Sequence, residues 1–379
     1  MKDRTWLRLT PGRTALLAMG ALALNGCSNP PTEAPPAKPA VVAAAPAAPE
    51  VPAAPAEPKP VDPAKLLAPF KLAPVKDAPQ VQDTEVRIAL GRMLFHDPRL
   101  SKNHDISCNT CHNLATFGVD NKALSDGHRG QKGTRNSPTV YNAANHVAQF
   151  WDGRAPTLEV QAEGPIFNPV EMAMPDDKRL VATLNSIPQY VKHFKQAFPG
   201  EKKPVTAGNA ARAIAAFERQ LTTPSRFDQF LAGEQAALTE AERRGLELFV
   251  SSGCTTCHNG PAVGGTSFQK LGLIEEWPHL ADKGRFDVTR NEEDQAKFRV
   301  PTLRNVDKTG PYLHDGSVQA LPEMVRLMAK HQLGKTLKDS EVEDVVAFLR
   351  SLTGELPQHY LAPPELPKST RKTPEPDPS

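Results

Sequence analysis

Cys108-Asn-Thr-Cys111-His112 is the stretch that decides the fold, and its pattern recurs as Cys254-Thr-Thr-Cys257-His258. Two cysteines three residues apart lie on one side of a helical turn, where both sulfurs can add to the vinyl groups of one haem. The adjacent histidine can then turn its imidazole toward the iron as the proximal ligand. The sequence therefore predicts two covalently bound haems c. Their attachment residues are Cys108 and Cys111 for the first and Cys254 and Cys257 for the second, with His112 and His258 as the proximal ligands.

Other chemistries of paired cysteines fit this chain less well. A zinc site made from two such pairs usually separates them by about 15–20 residues, whereas the two pairs here lie far apart in the sequence. A redox C-x-x-C motif belongs to a βαβ context, and alternating β patterns are scarce. The two haems account for four of the five cysteines. Only Cys27 is left over.

The first 26 residues have the features of a bacterial signal peptide. Basic residues precede the apolar run 14–24, which is too short to cross a hydrocarbon core of about 30 Å. The run ends in Leu24-Asn25-Gly26-Cys27, which resembles a lipobox and predicts that Cys27 is the lipidated first residue of the mature protein. We therefore expect a lipid-anchored periplasmic protein, at the outer rather than the inner membrane because Ser28 follows the cysteine. The alternative is an ordinary signal peptide with an incidental cysteine.

Composition divides the rest of the chain into three parts. Residues 27–80 are dominated by proline and alanine, which predicts a disordered tether, and the similar tail 357–379 is also predicted to be disordered. Between them, apolar residues recur mostly at helical spacing, so the folded body is predicted to be mainly α. The formal net charge of +2 comes from the basic N terminus. A nearly neutral body excludes a nucleic-acid-binding protein.

The two haem stretches belong to a longer internal repeat. Each stretch is preceded by a Leu-Phe pair, at 94–95 in the first copy and at 248–249 in the second. Each is followed by a Pro-Thr motif, at 138–142 and 301–305, and then by an Asp-Gly pair, at 152–153 and 315–316. The repeat predicts two cytochrome c-like haem domains, 81–224 and 225–356. Trp151 and His314 precede the two Asp-Gly pairs, so the copies differ there.

Motifs along the folded body are similar, in order and spacing, to those of the bacterial di-haem cytochrome c peroxidases. They are the first C-x-x-C-H and the segments 95–101, 124–128, 150–154, 161–165, 168–172 and 300–306. The resemblance does not extend to the tether. It implies an enzyme that reduces H₂O₂ to water with electrons from a small c-type cytochrome or a cupredoxin. It also implies a peroxidatic, low-potential first haem, an electron-storing, high-potential second haem and a possible homodimer.

The resemblance assigns three residues to the distal side of the first haem. His128 matches a removable sixth ligand, and its glycine-flanked loop could absorb the backbone change that such a movement needs. Glu171 and Gln161 match the distal-pocket pair. A carboxylate shielded from water could take a proton from one peroxide oxygen and return it to the other. Gln161 cannot ionise, so we expect it to orient the peroxide.

The resemblance also assigns residues near the second haem. Trp151 matches an aromatic residue between the two haems, although a core role is equally compatible with the sequence. Met328 matches the distal ligand of the second haem, but Met324 and His331 lie close by on the same predicted helix, so these alternatives stay open. One Ca²⁺ between the domains is implied at the positions of Asn136, Thr309 and Pro311, the last two through backbone carbonyls.

Two other functions remain open at this point. A pure di-haem electron carrier would leave Glu171 and Gln161 without a role. A related di-haem enzyme oxidises tryptophans of a partner protein during quinone cofactor maturation, but it has tyrosine where Met328 stands.

Overall fold

The structure is a computed structural model that describes residues 63–71 and 83–379. These residues lie in one unit, Lys59–Ser379. The predictions for the signal peptide, for Cys27 and for most of the tether lie outside the described residues. Within the described ranges, no helix is long and apolar enough to cross a membrane.

Helices dominate the described chain, which confirms the mainly α prediction. Their bounds are α1 Pro63–Leu67, α2 Glu85–His96, α3 Cys108–Cys111, α4 Leu158–Phe167, α5 Asp177–Asn185, α6 Pro188–Ala197, α7 Ala207–Glu218, α8 Arg226–Leu231, α9 Glu240–Ser251, α10 Phe286–Thr289, α11 Leu321–Leu333, α12 Asp339–Ser351 and α13 Gln358–Leu361. Strands β1 Phe268–Lys270 and β2 Lys297–Arg299 pair antiparallel, with Gln269 opposite Phe298.

A close helix crossing forms the core of the first domain. Helices α2 and α7 pack against each other, and the rings of Phe95 and Phe217 meet edge to face at 5.5 Å. At the crossing, a Cβ on Gly91 would lie 1.8 Å from the carbonyl oxygen of Ala213. Only glycine lets the two backbones approach this closely.

The second domain repeats this crossing. Helices α9 and α12 pack together, with the rings of Phe249 and Phe348 5.2 Å apart. A Cβ on Gly245 would lie 1.9 Å from the carbonyl oxygen of Asp344. Gly91 and Gly245 each stand four residues before the phenylalanine of the Leu-Phe pair, so the internal repeat is also a repeat of three-dimensional structure.

The two copies meet at one buried threonine. The side-chain amides of Asn142 and Asn305 both donate to the hydroxyl oxygen of Thr223, at 2.8 and 3.0 Å. Both asparagines have left-handed backbone conformations, with φ of 61° and 63°, which asparagine tolerates better than most residues. Each ends the Pro-Thr motif of its copy, so the repeat supplies matching halves of the domain junction.

Part of the predicted tether is folded in the structure. Helix α1 and the turn after it bury Leu66, Leu67 and Phe70 in the core of the second domain. The ring of Phe70 meets that of Phe227 edge to face at 5.0 Å, and the carbonyl of Pro69 accepts from the amide of Gly260 at 2.9 Å. The proline-rich composition of this region did not indicate that Leu66, Leu67 and Phe70 would pack against residues far away in the sequence.

The predicted disorder of residues 357–379 is also corrected. Helix α13 brings the chain back to the first domain, where the ring of Tyr360 meets that of Phe217 at 5.1 Å. The guanidinium of Arg92 donates to the carbonyl of Ala362 at 2.8 Å. A proline-rich chain cannot satisfy its own backbone groups in a helix or sheet. Here the side chains of the first domain supply the missing partners.

We expect Gly91→Ala to destabilise the holoprotein because the added Cβ would force α2 and α7 apart. Overpacking of this kind typically costs about 1–3 kcal/mol of the free energy of unfolding. The check is thermal unfolding, with Gly200→Ala as the control, since nothing lies within 4 Å of a Cβ at that position. Equal unfolding temperatures for the two variants would contradict the close crossing.

Candidate active site

Each C-x-x-C-H stretch lines a cavity of its own. The cysteines and histidine of the first stretch line the first-haem cavity, of about 170 Å³. Those of the second stretch line the second-haem cavity, of about 230 Å³. Burial raises the pKa of Cys111 and of Cys254 to about 11. Both cysteines of each stretch line the same cavity, as covalent attachment of one haem requires.

The surroundings of both predicted proximal histidines favour the neutral form of the ring. Nδ1 of His112 lies 3.4 Å from the carbonyl oxygen of Gly118, and burial lowers the pKa of His112. Burial also lowers the pKa of His258 to about 4, although the carbonyls of Val263 and Pro301 act in the opposite direction. A neutral imidazole is the form that binds a metal.

A buried arginine fits the acidic groups that haem carries. Arg299 is buried and lines both cavities. Its Nη1 has no hydrogen-bond partner within the protein, and burial lowers the pKa of Arg299 to about 10. An unpaired buried cation is costly, and a haem propionate would pair with it. The residues present therefore fit haem in both cavities.

The wall between the cavities contains two aromatic rings. Trp151 lines both cavities, and its indole Nε1 donates to the backbone carbonyl of Asn136 at 2.9 Å. His146 also lines both cavities, and neither of its ring nitrogens has a partner within the protein. Burial lowers the pKa of His146 well below its usual value, so the ring is neutral. The structure thus brings Trp151 between the two sites, and its part in electron transfer stays a prediction.

Sequence reasoning did not single out Arg299 or His146. Arg299 lies next to the motif 300–306, yet nothing local distinguishes it from the other arginines. His146 follows the Pro-Thr motif and carries no ligand spacing of its own. Only the fold, which brings both side chains to the shared wall, makes them candidates for function.

The predicted distal pair does meet in the first-haem cavity. Gln161 comes from α4 and Glu171 from the loop after it, and both line the cavity. The loop is built on Asn168, whose side-chain oxygen accepts from the amide of Val170 at 3.0 Å and whose carbonyl accepts from the amide of Glu171. This turn aims the carboxyl group into the cavity.

The electrostatics of Glu171 suit a group that exchanges protons. Burial raises its pKa, whereas the charge of Arg154 and a hydrogen bond with Asn168 lower it, and the net shift is upward. Arg154 lines the same cavity, and its guanidinium stacks 3.5 Å from the centre of the Phe150 ring and pairs with Asp152. The pairing with Asp152 moderates the effect of Arg154 on the glutamate. Sequence reasoning did not name Arg154, although it ends the quoted motif 150–154.

His128 is buried, but its side chain does not line the first-haem cavity. Its backbone amide donates to the carbonyl oxygens of Val170 and Glu171, at 3.0 and 2.7 Å. Its Nε2 lies 3.1 Å from the backbone oxygen of Ser379. The structure therefore places the predicted sixth ligand beside the loop that carries Glu171 and outside the cavity, and ligation by His128 stays a prediction.

The structure narrows the choice of ligand at the second haem. Met324 and Met328 both line the second-haem cavity. His331 does not line it. Its Nδ1 lies 3.1 Å from the carbonyl of Glu275, and its ring packs on Trp277 with the centroids 4.8 Å apart. Of the three candidates, the two methionines therefore lie at the cavity, and ligation by Met328 stays a prediction.

The three residues predicted to bind calcium line the same cavity, but their arrangement is not by itself a metal site. Asn136, Thr309 and Pro311 all line the second-haem cavity. The amide nitrogen of Asn136 donates to the carbonyls of Lys122 and Ala123, at 2.9 and 3.3 Å, which directs the side-chain oxygen away from them. Among the described residues, no group of three His, Cys, Asp or Glu could hold a metal. A site made of carbonyls would not form such a group, so calcium stays a prediction.

Comparisons with known proteins match this geometry. Residues 85–236 match the family model for di-haem cytochrome c peroxidase, and residues 242–353 match the model for cytochrome c. The chain is 48% identical over 299 residues to cytochrome c551 peroxidase of Pseudomonas aeruginosa, covering 77% of this chain and 85% of that protein. It is 48% identical over 293 residues to cytochrome c551 peroxidase of Nitrosomonas europaea, covering 76% and 86%.

A solved structure shares the fold. It is that of a MauG-like protein associated with microbial copper homeostasis, with a TM-score of 0.68 and 30% sequence identity, covering 78% of this chain and 99% of that one. Fold and site together define a di-haem enzyme with two c-type haems. The chain belongs to the di-haem cytochrome c peroxidase family and is a cytochrome c peroxidase.

We expect Met328→Leu to remove the charge-transfer absorption that is diagnostic of methionine bound to ferric haem. Met324→Leu, one helical turn away in the same cavity, should keep that band because leucine preserves the packing at a position that does not bind the iron. The measurement is the near-infrared spectrum of each oxidised holoprotein. Loss of the band in the Met324 variant alone would transfer the ligand role to Met324.

Proposed function

We propose that the enzyme reduces H₂O₂ to two waters at the first haem, with two electrons that enter singly at the second. The observation that carries this proposal is the difference between the two cavities. The first-haem cavity is lined by a half-buried carboxyl, Glu171, and an amide, Gln161. The described residues that line the second-haem cavity include two methionines and no carboxylate. Among the described residues, a carboxylate that could exchange a proton with peroxide therefore lines the first cavity only.

The reaction consumes one H₂O₂, two electrons and two protons and produces two H₂O. A haem held by Cys108, Cys111 and His112 would supply the electrons for cleavage of the O–O bond. Ionised Glu171 takes a proton from one peroxide oxygen and returns it to the other, which leaves as water. Gln161 holds the peroxide in the orientation that this transfer needs.

The environment of Glu171 also predicts how the rate of the reaction falls at acid pH. Only the ionised carboxylate can accept the first proton. Its pKa lies above the usual value because of burial. Peroxide cleavage is therefore expected to slow as the pH falls through this raised pKa, at higher pH than an exposed glutamate would cause.

The electron donor is proposed to be a small c-type cytochrome or a cupredoxin. The two related peroxidases are both named for cytochrome c551, which favours a cytochrome of that size. Trp151 lies in the wall shared by the two cavities. It therefore offers a direct route for electrons from the second site to the first.

The tryptophan-oxidising function is the second candidate, because the solved MauG-like structure shares the fold at 30% identity. Met328, which lines the second-haem cavity, stands where that class of enzyme has tyrosine. The methionine favours the peroxidase.

The experiment is steady-state reduction of H₂O₂ by reduced cytochrome c, with a haem count for each variant. Glu171→Gln should keep both haems and their spectra and should lower turnover by about 10²–10⁴-fold, the usual contribution of general acid–base catalysis. Glu163→Gln is the matched control, since it alters a neighbouring carboxylate on α4 that does not line the cavity. A loss smaller than about tenfold would remove Glu171 from the mechanism, and a wild type without peroxide turnover would overturn the proposal itself.

We further propose that the enzyme is held at the periplasmic face of a membrane by lipid on Cys27. The proposal is supported by the lipobox-like sequence 24–27. Two or more acyl chains bind a membrane stably, whereas a single chain binds only marginally.

Cys27→Ser in the full precursor should therefore move the protein from the membrane fraction to the soluble periplasm without a change in specific activity. Fractionation and the mass of the N terminus measure this, and Ser28→Ala serves as the control. A variant that is processed and still bound to the membrane would contradict lipid anchoring.

A further inference from the structure

Residues 362–379, here called the tail segment, run across the first domain and are fastened along their length. Arg99 donates to the hydroxyl oxygen of Ser369 at 3.0 Å, and the hydroxyl of Thr370 donates to the carbonyl of Ser186 at 2.9 Å. Arg179 donates to the carbonyl of Glu375 at 2.6 Å. The segment is thus secured by side chains from separate parts of the first domain before it reaches its end.

The end of the tail segment converges on one lysine. The amide of Asp377 donates to the carbonyl of Lys102 at 3.0 Å, and Nζ of Lys102 donates to the backbone oxygen of Ser379 at 2.7 Å. The amide of Lys102 donates in turn to the carbonyl of Met172 at 2.8 Å. Met172 follows Glu171, so the end of the tail segment is bonded to the loop that carries the catalytic carboxyl.

The same oxygen of Ser379 also holds His128. Nε2 of His128 lies 3.1 Å from it. Because this oxygen can only accept, Nε2 carries the proton and its lone pair is not available to a metal. Nδ1 is buried and has no partner within the protein. The bond to Ser379 therefore occupies Nε2, while Nδ1 keeps its lone pair but lies on a side chain that does not line the first-haem cavity.

The loop around His128 fits this position closely. A Cβ on Gly127 would lie 1.9 Å from the carbonyl oxygen of Val170, and Arg129 and Gly130 have positive φ values of 59° and 71°. These conformations are sparsely populated by residues other than glycine. The contacts outside the loop, the Ser379 oxygen among them, help to maintain the conformation.

We propose that the tail segment is a positioning element for His128, and that its end holds the imidazole away from the first haem so that the sixth position stays open in the fully oxidised enzyme. This rests on the proposed peroxide reduction at the first haem and on the prediction, implied by the family resemblance, that His128 is a removable ligand of that haem. Without the bond to Ser379, the imidazole would be free to move into the first-haem cavity and close it to peroxide. The tail segment thereby shifts the balance between open and closed forms without touching the peroxide.

The test compares the oxidised holoenzyme with a variant that ends at Glu375. The deletion removes the contacts to Lys102 and His128 and leaves the contacts of Ser369, Thr370 and Glu375 in place. Electron paramagnetic resonance and absorption spectra report the spin state of the first haem independently of activity. We expect a mainly high-spin first haem in the full chain. In the deletion variant, the ratio of the closed form, with His128 on the iron, to the open form should rise by about tenfold. A change of that size corresponds to the loss of one hydrogen bond, and it should be seen as a larger low-spin fraction.

A second variant reaches the same contact without shortening the chain. Lys102→Ala removes one of the two partners of the Ser379 oxygen and should shift the spin state in the same direction by a smaller factor. Arg371→Ala is the control, because Arg371 is an exposed residue of the tail segment. Its spectrum should match that of the full chain.

His128→Gly in the deletion variant tests whether His128 itself is the ligand that closes the first haem. It should restore the high-spin signal, because glycine cannot bind iron. If the deletion variant and the full chain have the same spin state, or if the full chain is already low-spin when oxidised, the positioning role is overturned. Absence of peroxide turnover in the full chain would overturn the proposed function, while the spin-state comparison would still decide the role of the tail segment.

Discussion

The arrangement of the two sites depends on the hydroxyl oxygen of Thr223, which accepts from Asn142 and Asn305 at once. All three residues are buried, so each bond is made where water cannot replace it and its loss would leave a polar group unpaired. The two asparagines end the equivalent motifs of the repeat. Fixing them on one atom fixes the two haem domains relative to each other, and with them the wall that both cavities share.

The shared wall allows two haem domains of similar fold to have different parts in one reaction. The helix crossings at Gly91 and Gly245 are alike, yet the linings of the two cavities differ. The position before Asp-Gly is tryptophan in the first copy and histidine in the second, and the rings of Trp151 and His314 meet edge to face at 6.4 Å. The point at which the copies diverge in sequence is therefore a point at which they touch. The carboxyl-bearing Glu171 lines one cavity and two methionines line the other, while the wall between the cavities is common to both.

Sequence alone predicted what is encoded locally or repeated. The C-x-x-C-H stretches, the helical period and the paired motifs predicted two helical haem domains, and the resemblance to the di-haem peroxidases implied that Glu171 belongs with Gln161. Arg299 and His146 were missed because their significance depends on burial and on a lack of protein partners, which no local pattern records. Residues 63–71 and 357–379 were misjudged for a related reason. Their proline content limits helices to the short α1 and α13, but a few apolar and backbone contacts to a distant surface suffice to order them.

The path of the chain after the second domain links the domain junction to the first-haem loop. Gly354 pairs with Ser225 and donates to the side-chain oxygen of Asn305 at 2.9 Å, so the chain leaves the second domain at the junction itself. A Cβ on Gly354 would lie 2.2 Å from the carbonyl of Thr223, which leaves little room for the chain to shift. From there α13 and the tail segment lead to His128. The first domain is therefore built from two separate parts of the sequence. The later part, which is α13 and the tail segment, reaches the loop beside Glu171 only after the chain has passed the contact of Thr223 with Asn142 and Asn305.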